Sequence, residues 1–194
     1  FGDLPPGSAG GLVGTAQGYS NIDSSQAVNV NVTGVTNVGG LVGSDGSSNG
    51  GISNSSATGA VTGYSNVGGL VGNAGGGTLR NDTANVAVTS TGGDNTGGLV
   101  GSNTANIINS SASGTVTSSG NNTGGLLGYD YGGSIYNSSA TGKVTSTGDN
   151  VGGLVGNVIA YTNVMIVNSN ASGAVFGHSN VGGLIGNASN SSNN

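Results

Sequence analysis

Residues 37–43 read NVGGLVG, and the same seven letters return at 66–72 and at 150–156. Close variants stand between and beyond them: NTGGLVG at 95–101, NTGGLLG at 122–128 and NVGGLIG at 180–186. The first glycines of the Gly-Gly-Leu rungs are Gly10, Gly39, Gly68, Gly97, Gly124, Gly152 and Gly182, with successive spacings of 29, 29, 29, 27, 28 and 30. A period in the twenties, held within a residue or two, is the signature of a solenoid, in which each repeat buries its apolar face only against its neighbours. Seven rungs bound six full repeats, so the expected organisation is an N-terminal extension at 1–9, a solenoid at 10–186 and a polar tail at 187–194.

The rest of each repeat agrees. ISNSSATGAVTG at 52–63 is echoed by IINSSASGTVTS at 107–118, IYNSSATGKVTS at 135–146 and IVNSNASGAVFG at 166–177. Glycine in every window of ten disfavours helix, at about 1 kcal/mol each relative to alanine. Short extended segments separated by Gly, Asn, Asp and Ser clusters fit instead, because those residues are turn formers. The expected fold is all-β, a parallel β-solenoid of about 28 residues per coil with three short strands in each. The crossover rule for parallel strands favours a right-handed coil.

Composition supports an array over disorder. The chain has 194 residues, 43 of them glycine, with 5% charged residues and a net charge of −5. Disordered chains carry more charge and fewer apolar residues, whereas here the apolar residues recur on a schedule. Stacking explains the missing charge, since a charge repeated in every coil would sit about 5 Å from its copies, at roughly 1 kcal/mol per pair in water and more when screened less. Cysteine is absent, which excludes disulfides and thiolate metal sites. The longest apolar run, Val164 to Val167, is too short to enter a bilayer as a helix. Arg80 and Lys143 are the only basic residues, which argues against a nucleic-acid partner. The abrupt opening FGDLPPGSAGG suggests a processed mature form or a piece of something longer.

Aligning the repeats names the columns that should face inward. One is Leu12, Leu41, Leu70, Leu99, Leu126, Leu154 and Leu184; a second is Ile52, Leu79, Ile107, Ile135 and Ile166. A third is Val28, Ala57, Ala84, Ala112, Ala140 and Ala171, and a fourth Val32, Val61, Val88, Val116, Val144 and Val175. Val13, Val42, Val71, Val100, Leu127, Val155 and Ile185 follow the leucines; a straight strand would expose them, and a corner, the preferred reading, would bury them. Asn54, Asn81, Asn109, Asn137 and Asn168 form a column suited to an amide ladder. Asn37, Asn66, Asn95, Asn122, Asn150 and Asn180 form another, read as a turn column because Asn tolerates left-handed backbone.

The rungs GLVG, GLLG and GLIG resemble GLUG-motif repeats, and the resemblance runs from Gly10 to Gly186. Such repeats are similar to those of large surface-exposed and secreted microbial proteins, including adhesin-like proteins and some IgA-directed peptidases. The resemblance implies an extracellular or cell-surface β-solenoid and no catalytic residues.

Candidate sites are sparse. His178 is the sole histidine and has no Cys or Glu to complete a metal site or triad, so it reads as a surface turn residue. The acidic residues are Asp3, Asp23, Asp45, Asp82, Asp94, Asp130 and Asp149; only Asp94 and Asp149 are read as sharing a column, which fits turn formation better than calcium binding. No cofactor is expected. Thr33, Thr62, Thr89, Thr117 and Thr145 should point outward; the flanking column Val35, Tyr64, Thr91, Ser119, Thr147 and His178 is too irregular for an ice-binding array. Asn-x-Ser/Thr sequons at Asn31, Asn54, Asn81, Asn109, Asn121, Asn137, Asn170, Asn187 and Asn190 offer glycosylation sites, at a density close to chance for this composition. Tyr129, Tyr131, Tyr136 and Tyr161 gather in the fifth and sixth repeats, either covering a loop or stacking on sugars. These readings point to a non-enzymatic structural protein that stacks head to tail into a surface fibre or stalk, Pro5 and Pro6 being the residues suited to blunting one end. The alternative is an adhesin-type module recognising carbohydrate or a host surface protein.

Overall fold

A computed structural model describes residues 7–47, 50–160 and 164–190. Every strand pairing among these residues is parallel, and each pairing joins one coil to the next. Gly10, Gly39, Gly68, Gly97, Gly124, Gly152 and Gly182 follow one another through a single ladder, so the chain is a parallel β-solenoid.

Four sheets run along the stack instead of the expected three. The asparagine sheet holds seven strands, Ala9–Gly10, Thr36–Gly39, Ser65–Gly68, Thr96–Gly97, Thr123–Gly124, Asp149–Gly152 and Ser179–Gly182. The valine sheet follows it with Val13–Gly18, Val42–Ser47, Val71–Ala74, Val100–Asn103, Leu127–Asp130, Val155–Ala160 and Ile185–Asn190. Three strands per coil is corrected to at least four because the Gly-Gly-Leu rung is a bend between these two sheets. An isoleucine sheet comes next, from Asn21–Asp23 to Ile166–Val167, and then a threonine sheet that begins with Gln26–Thr33 and Ser56–Gly63.

The bend decides the core. Strict alternation fails at a corner, so Leu41, Leu70, Leu99, Leu126 and Leu154 are fully buried together with the residues that follow them, Val42, Val71, Val100, Leu127 and Val155. Ile52, Leu79, Ile107 and Ile135 fill the tube from the isoleucine sheet, and Val61, Val88, Val116 and Val144 from the threonine sheet. Each such side chain contributes roughly 1.5–3 kcal/mol on burial. Leu12 and Leu184 stand in the same column but are 55% and 39% exposed. Their place in a buried ladder is corrected accordingly: each lies in a terminal described coil, with a described neighbour on one side only.

The third column also needs correction at its first member. Ala27, not Val28, pairs with Ala57, and the register shifts between Ala27 and Val30. The extra residue forms a bulge, with Asn29 in the left-handed region at φ +53° and its N–H donating to Thr58 Oγ1 at 2.9 Å. Val28 is turned out and is 62% exposed.

Candidate functional site

The polar columns are where this chain differs from a simple apolar tube. Asn37, Asn66, Asn95, Asn122, Asn150 and Asn180 all adopt left-handed φ between +48° and +69°. Each amide above Asn37 donates from Nδ2 to the Oδ1 of the asparagine one coil below, at 2.9 Å throughout. The column expected to serve the turn is therefore a continuous amide ladder as well. Asn54, Asn81, Asn109, Asn137 and Asn168 share the same backbone region at +50° to +57°. Their amides run from Asn137 down to Asn54 at 3.1–3.2 Å, and Asn54 donates to Asp23 Oδ1 at 2.8 Å.

Both ladders have one polarity, with every donor pointing toward the N-terminal coil. The lowest member needs only to accept, and the acceptor-only carboxylate of Asp23 suits that place. Hydrogen bonds from Ser53, Asn54 and Ser24 hold the Asp23 carboxyl below its ordinary value. Asn95→Asp keeps the acceptor for Asn122 and the left-handed backbone but removes the donor to Asn66. It is expected to lower stability by about 1–3 kcal/mol at pH 7, read from the urea midpoint; an unchanged midpoint would deny the ladder any stabilising role.

Beside the exposed asparagines runs a serine column that the sequence reading passed over, although each member directly follows a ladder asparagine or its equivalent. The N–H groups of Ser25, Ser110 and Ser138 donate to the hydroxyls of Ser55, Ser138 and Ser169 at 3.1 Å. Ser55, Ser110, Ser138 and Ser169 in turn donate to the carbonyls two residues back, at 2.7–2.9 Å. Asp82 replaces serine in this column. Its Oδ1 accepts from the Ser55 N–H at 2.9 Å and its own N–H donates to Ser110 Oγ at 3.1 Å. Burial pushes the Asp82 carboxyl up to about 6, partly offset by the backbone N–H groups of Ser55 and Arg80 and reinforced by the Asp23 charge.

A second column contains Asp45, Ala74, Asn103, Asp130 and Val158, all buried, and ends at the exposed Ala188. Asp45 and Asp130 thus share a column, which corrects the reading that only Asp94 and Asp149 do. The latter pair is joined through Asn121, whose N–H donates to Asp94 Oδ1 and whose Oδ1 accepts the Asp149 N–H, both at 2.9 Å. Asp45 accepts the Ser47 N–H and hydroxyl at Oδ1. Asp130 Oδ1 accepts the Gly133 N–H at 3.0 Å and Asn103 Nδ2 at 3.3 Å. Burial raises the Asp130 carboxyl to about 6, against the pull of those donors. Asp45, Asp82 and Asp130 each leave Oδ2 buried and without a hydrogen-bond partner.

Other candidate residues are placed apart from one another. His178 is exposed, with Nδ1 2.8 Å from Asp149 Oδ1. The threonine column is paired coil to coil and ends at Phe176, whose ring lies under Lys143 Nζ at 5.0 Å. Among the described residues no three His, Cys, Asp or Glu side chains gather as a metal site. No helix among the described residues is long and apolar enough to cross a membrane. The Tyr129 and Tyr131 rings are tilted by 36° with centroids 5.9 Å apart, and the Tyr136 hydroxyl lies 3.7 Å from Met165 Sδ in the next coil. Of the sequons, Asn54, Asn81, Asn109 and Asn137 commit Nδ2 to the ladder, Asn187 donates to Asn157, Asn121 accepts from Asp149, and Asn31 and Asn170 are exposed. The Tyr161, Asn190, Asp3, Pro5 and Pro6 side chains lie outside the described residues.

These columns define a parallel β-solenoid repeat protein. The family model for the GLUG motif matches residues 92–117 and 119–145. Residues 92–145 thus carry two GLUG-motif repeats, and the same columns continue on both sides of the matched segments. No curated protein and no solved structure matches the chain.

Proposed function

We propose that the chain is a structural module of an extracellular fibre or cell-surface stalk and that copies stack head to tail. One observation carries the reading: the first and last described coils present the same columns, in the same order, that join coils inside the stack. Gly10, Leu12, Ile22, Ala27 and Val32 at one edge correspond to Gly182, Leu184, Ile166, Ala171 and Val175 at the other. Within the stack such edges join through Leu12 N–H to the Leu41 carbonyl at 2.9 Å and Leu154 N–H to the Leu184 carbonyl at 2.8 Å. A heterologous contact of this kind does not close and so lengthens. The bulge at Val28 blunts one sheet of the first coil and leaves the other three straight. The reading assigns no catalytic role and no cofactor.

Negative-stain microscopy and sedimentation of the purified chain test it. Filaments that lengthen with concentration are the expected result, and Leu184→Asp should stop growth while the β-rich circular dichroism persists. Single rods of one-chain mass at all concentrations would sink it. The tyrosine pair favours a second reading, an adhesin-type surface for carbohydrate; single rods retained on a glycan array would support that one.

A further inference from the structure

In the serine column each hydroxyl does two jobs: it accepts an N–H from the coil below and donates its own hydrogen to the carbonyl two residues back. Asp82 does the first through Oδ1. The corresponding carbonyl for the second is that of Arg80, which receives the Asn54 N–H at 2.9 Å just as the Ser53 carbonyl receives the Ser24 N–H at 3.0 Å. An ionised carboxylate has no hydrogen to give, and Asp82 Oδ2 is buried without a partner. The second buried column repeats the situation. Asn103 accepts the Ala105 N–H at 3.0 Å and donates Nδ2 to the Ala105 carbonyl at 2.7 Å, closing its turn with an acceptor and a donor. Asp130, one coil on, accepts the Gly133 N–H from three residues ahead, and its second oxygen is buried without a partner.

We propose that Asp82 and Asp130 are proton-binding sites of the stack: protonation supplies the donor that serine and asparagine supply in neighbouring coils, completing two buried columns that the ionised side chains leave broken. The solenoid is therefore stabilised in mildly acidic solution.

The surroundings contain little to oppose this. The strands stacked on the Asp82 turn, Gly51–Ser53 and Ser56–Gly63 on one side and Asn106–Ile108 and Ser111–Ala112 on the other, carry no titratable side chain. Arg80 is exposed on the strand before it, and Asp23, two coils away, disfavours a second negative charge. Around Asp130, the strands Val100–Asn103 and Val155–Ala160 are uncharged, and the titratable side chains nearby are the phenols Tyr129, Tyr131 and Tyr136.

The sign follows from proton linkage. Both carboxyls bind a proton near pH 6 when folded and near 3.8 when unfolded. Stability is therefore greatest below about 4, falls as pH rises to about 6, and is level above that. Each group should change the folded-to-unfolded ratio by about a hundredfold across the window. Asp23 acts in the opposite sense, but its lowered carboxyl titrates below the window.

The test is urea unfolding of the full chain from pH 7.5 to 4, together with Asp82→Ser, which installs the residue of the adjacent coils, and Asp130→Asn. The natural chain should resist more urea as pH falls, and the double variant should lose that slope. Carbon-13 carboxyl titration of aspartate-labelled natural chain reads the same claim without any substitution: two aspartates should titrate near pH 6. A flat or falling urea midpoint toward pH 4, a slope unaltered in the double variant, or all carboxyls titrating below about 4.5 would overturn the proposal.

Discussion

Gly97→Ala is expected to be far more damaging than the single methyl group it adds would suggest. A Cβ at that position would stand 2.0 Å from the Val100 carbonyl oxygen, 2.7 Å from the Gly128 nitrogen and 2.8 Å from the Leu126 carbonyl oxygen. All three obstacles are backbone, so no rotamer change relieves them. Ordinary core overpacking costs about 1–3 kcal/mol; here the rung and the coil above it must both move, and the loss should exceed about 3 kcal/mol. The same obstruction meets a Cβ at Gly39, Gly68, Gly124 and Gly152, each about 2 Å from the carbonyl oxygen three residues on. Left-handed backbone is not the cause, since none of these glycines has a positive φ. Gly46→Ala is the control, because the nearest atom to its Cβ is the Ala16 carbonyl oxygen at 3.6 Å. Urea unfolding should show Gly46→Ala near the natural chain. A Gly97→Ala loss below about 1 kcal/mol would contradict the close-approach explanation of the repeated phrase.

That phrase also explains how much could be read in advance. Its spacing fixes the register, because pairing glycine with glycine places Asn, Leu and Val in columns at once, and a slip of one residue would turn a buried face outward. What the spacing hid has local causes. Val28 lies 29 residues before Ala57, matching the rung period, whereas Ala27 lies 30 before it. The bulge absorbs the surplus residue, so the regular spacing pointed to the wrong partner. The corner at Gly-Gly-Leu was legible in the paired apolar residues Leu and Val, but a bend does not alter the count of residues per coil, so the period gave no number of sheets. The shared column of Asp45 and Asp130 is interrupted by Ala74 and Asn103, which disguises the recurrence of acid. The left-handed asparagines were legible as turns, but Asn oxygen and nitrogen lie at the ends of one planar group. Once the backbone conformation repeats every coil, that same group reaches its copies above and below, so turn and ladder are a single feature.

Leu126→Ala should remove about 2–5 kcal/mol, the range for emptying a fully buried leucine site. Leu126 has no exposure and sits between Leu99 and Leu154, to which its backbone is tied by bonds of 2.8 and 2.9 Å. The surrounding glycines cannot collapse into the hole, because their carbonyls and amides are already in contact with neighbouring coils. Leu184→Ala, in the same column but 39% exposed, should remove less than half as much from the dispersed chain. The two variants together separate a stack from a conventional core. In a linear array stability is a sum of coils and interfaces, so a central loss disrupts two interfaces and a terminal loss disrupts one. Equal losses in urea titrations of the dispersed chain would contradict that arrangement. Where copies join end to end, Leu184 acquires a coil above it and becomes an interior residue. The penalty for Leu184→Ala should then climb toward that of Leu126→Ala as protein concentration rises, while the Leu126→Ala penalty stays constant.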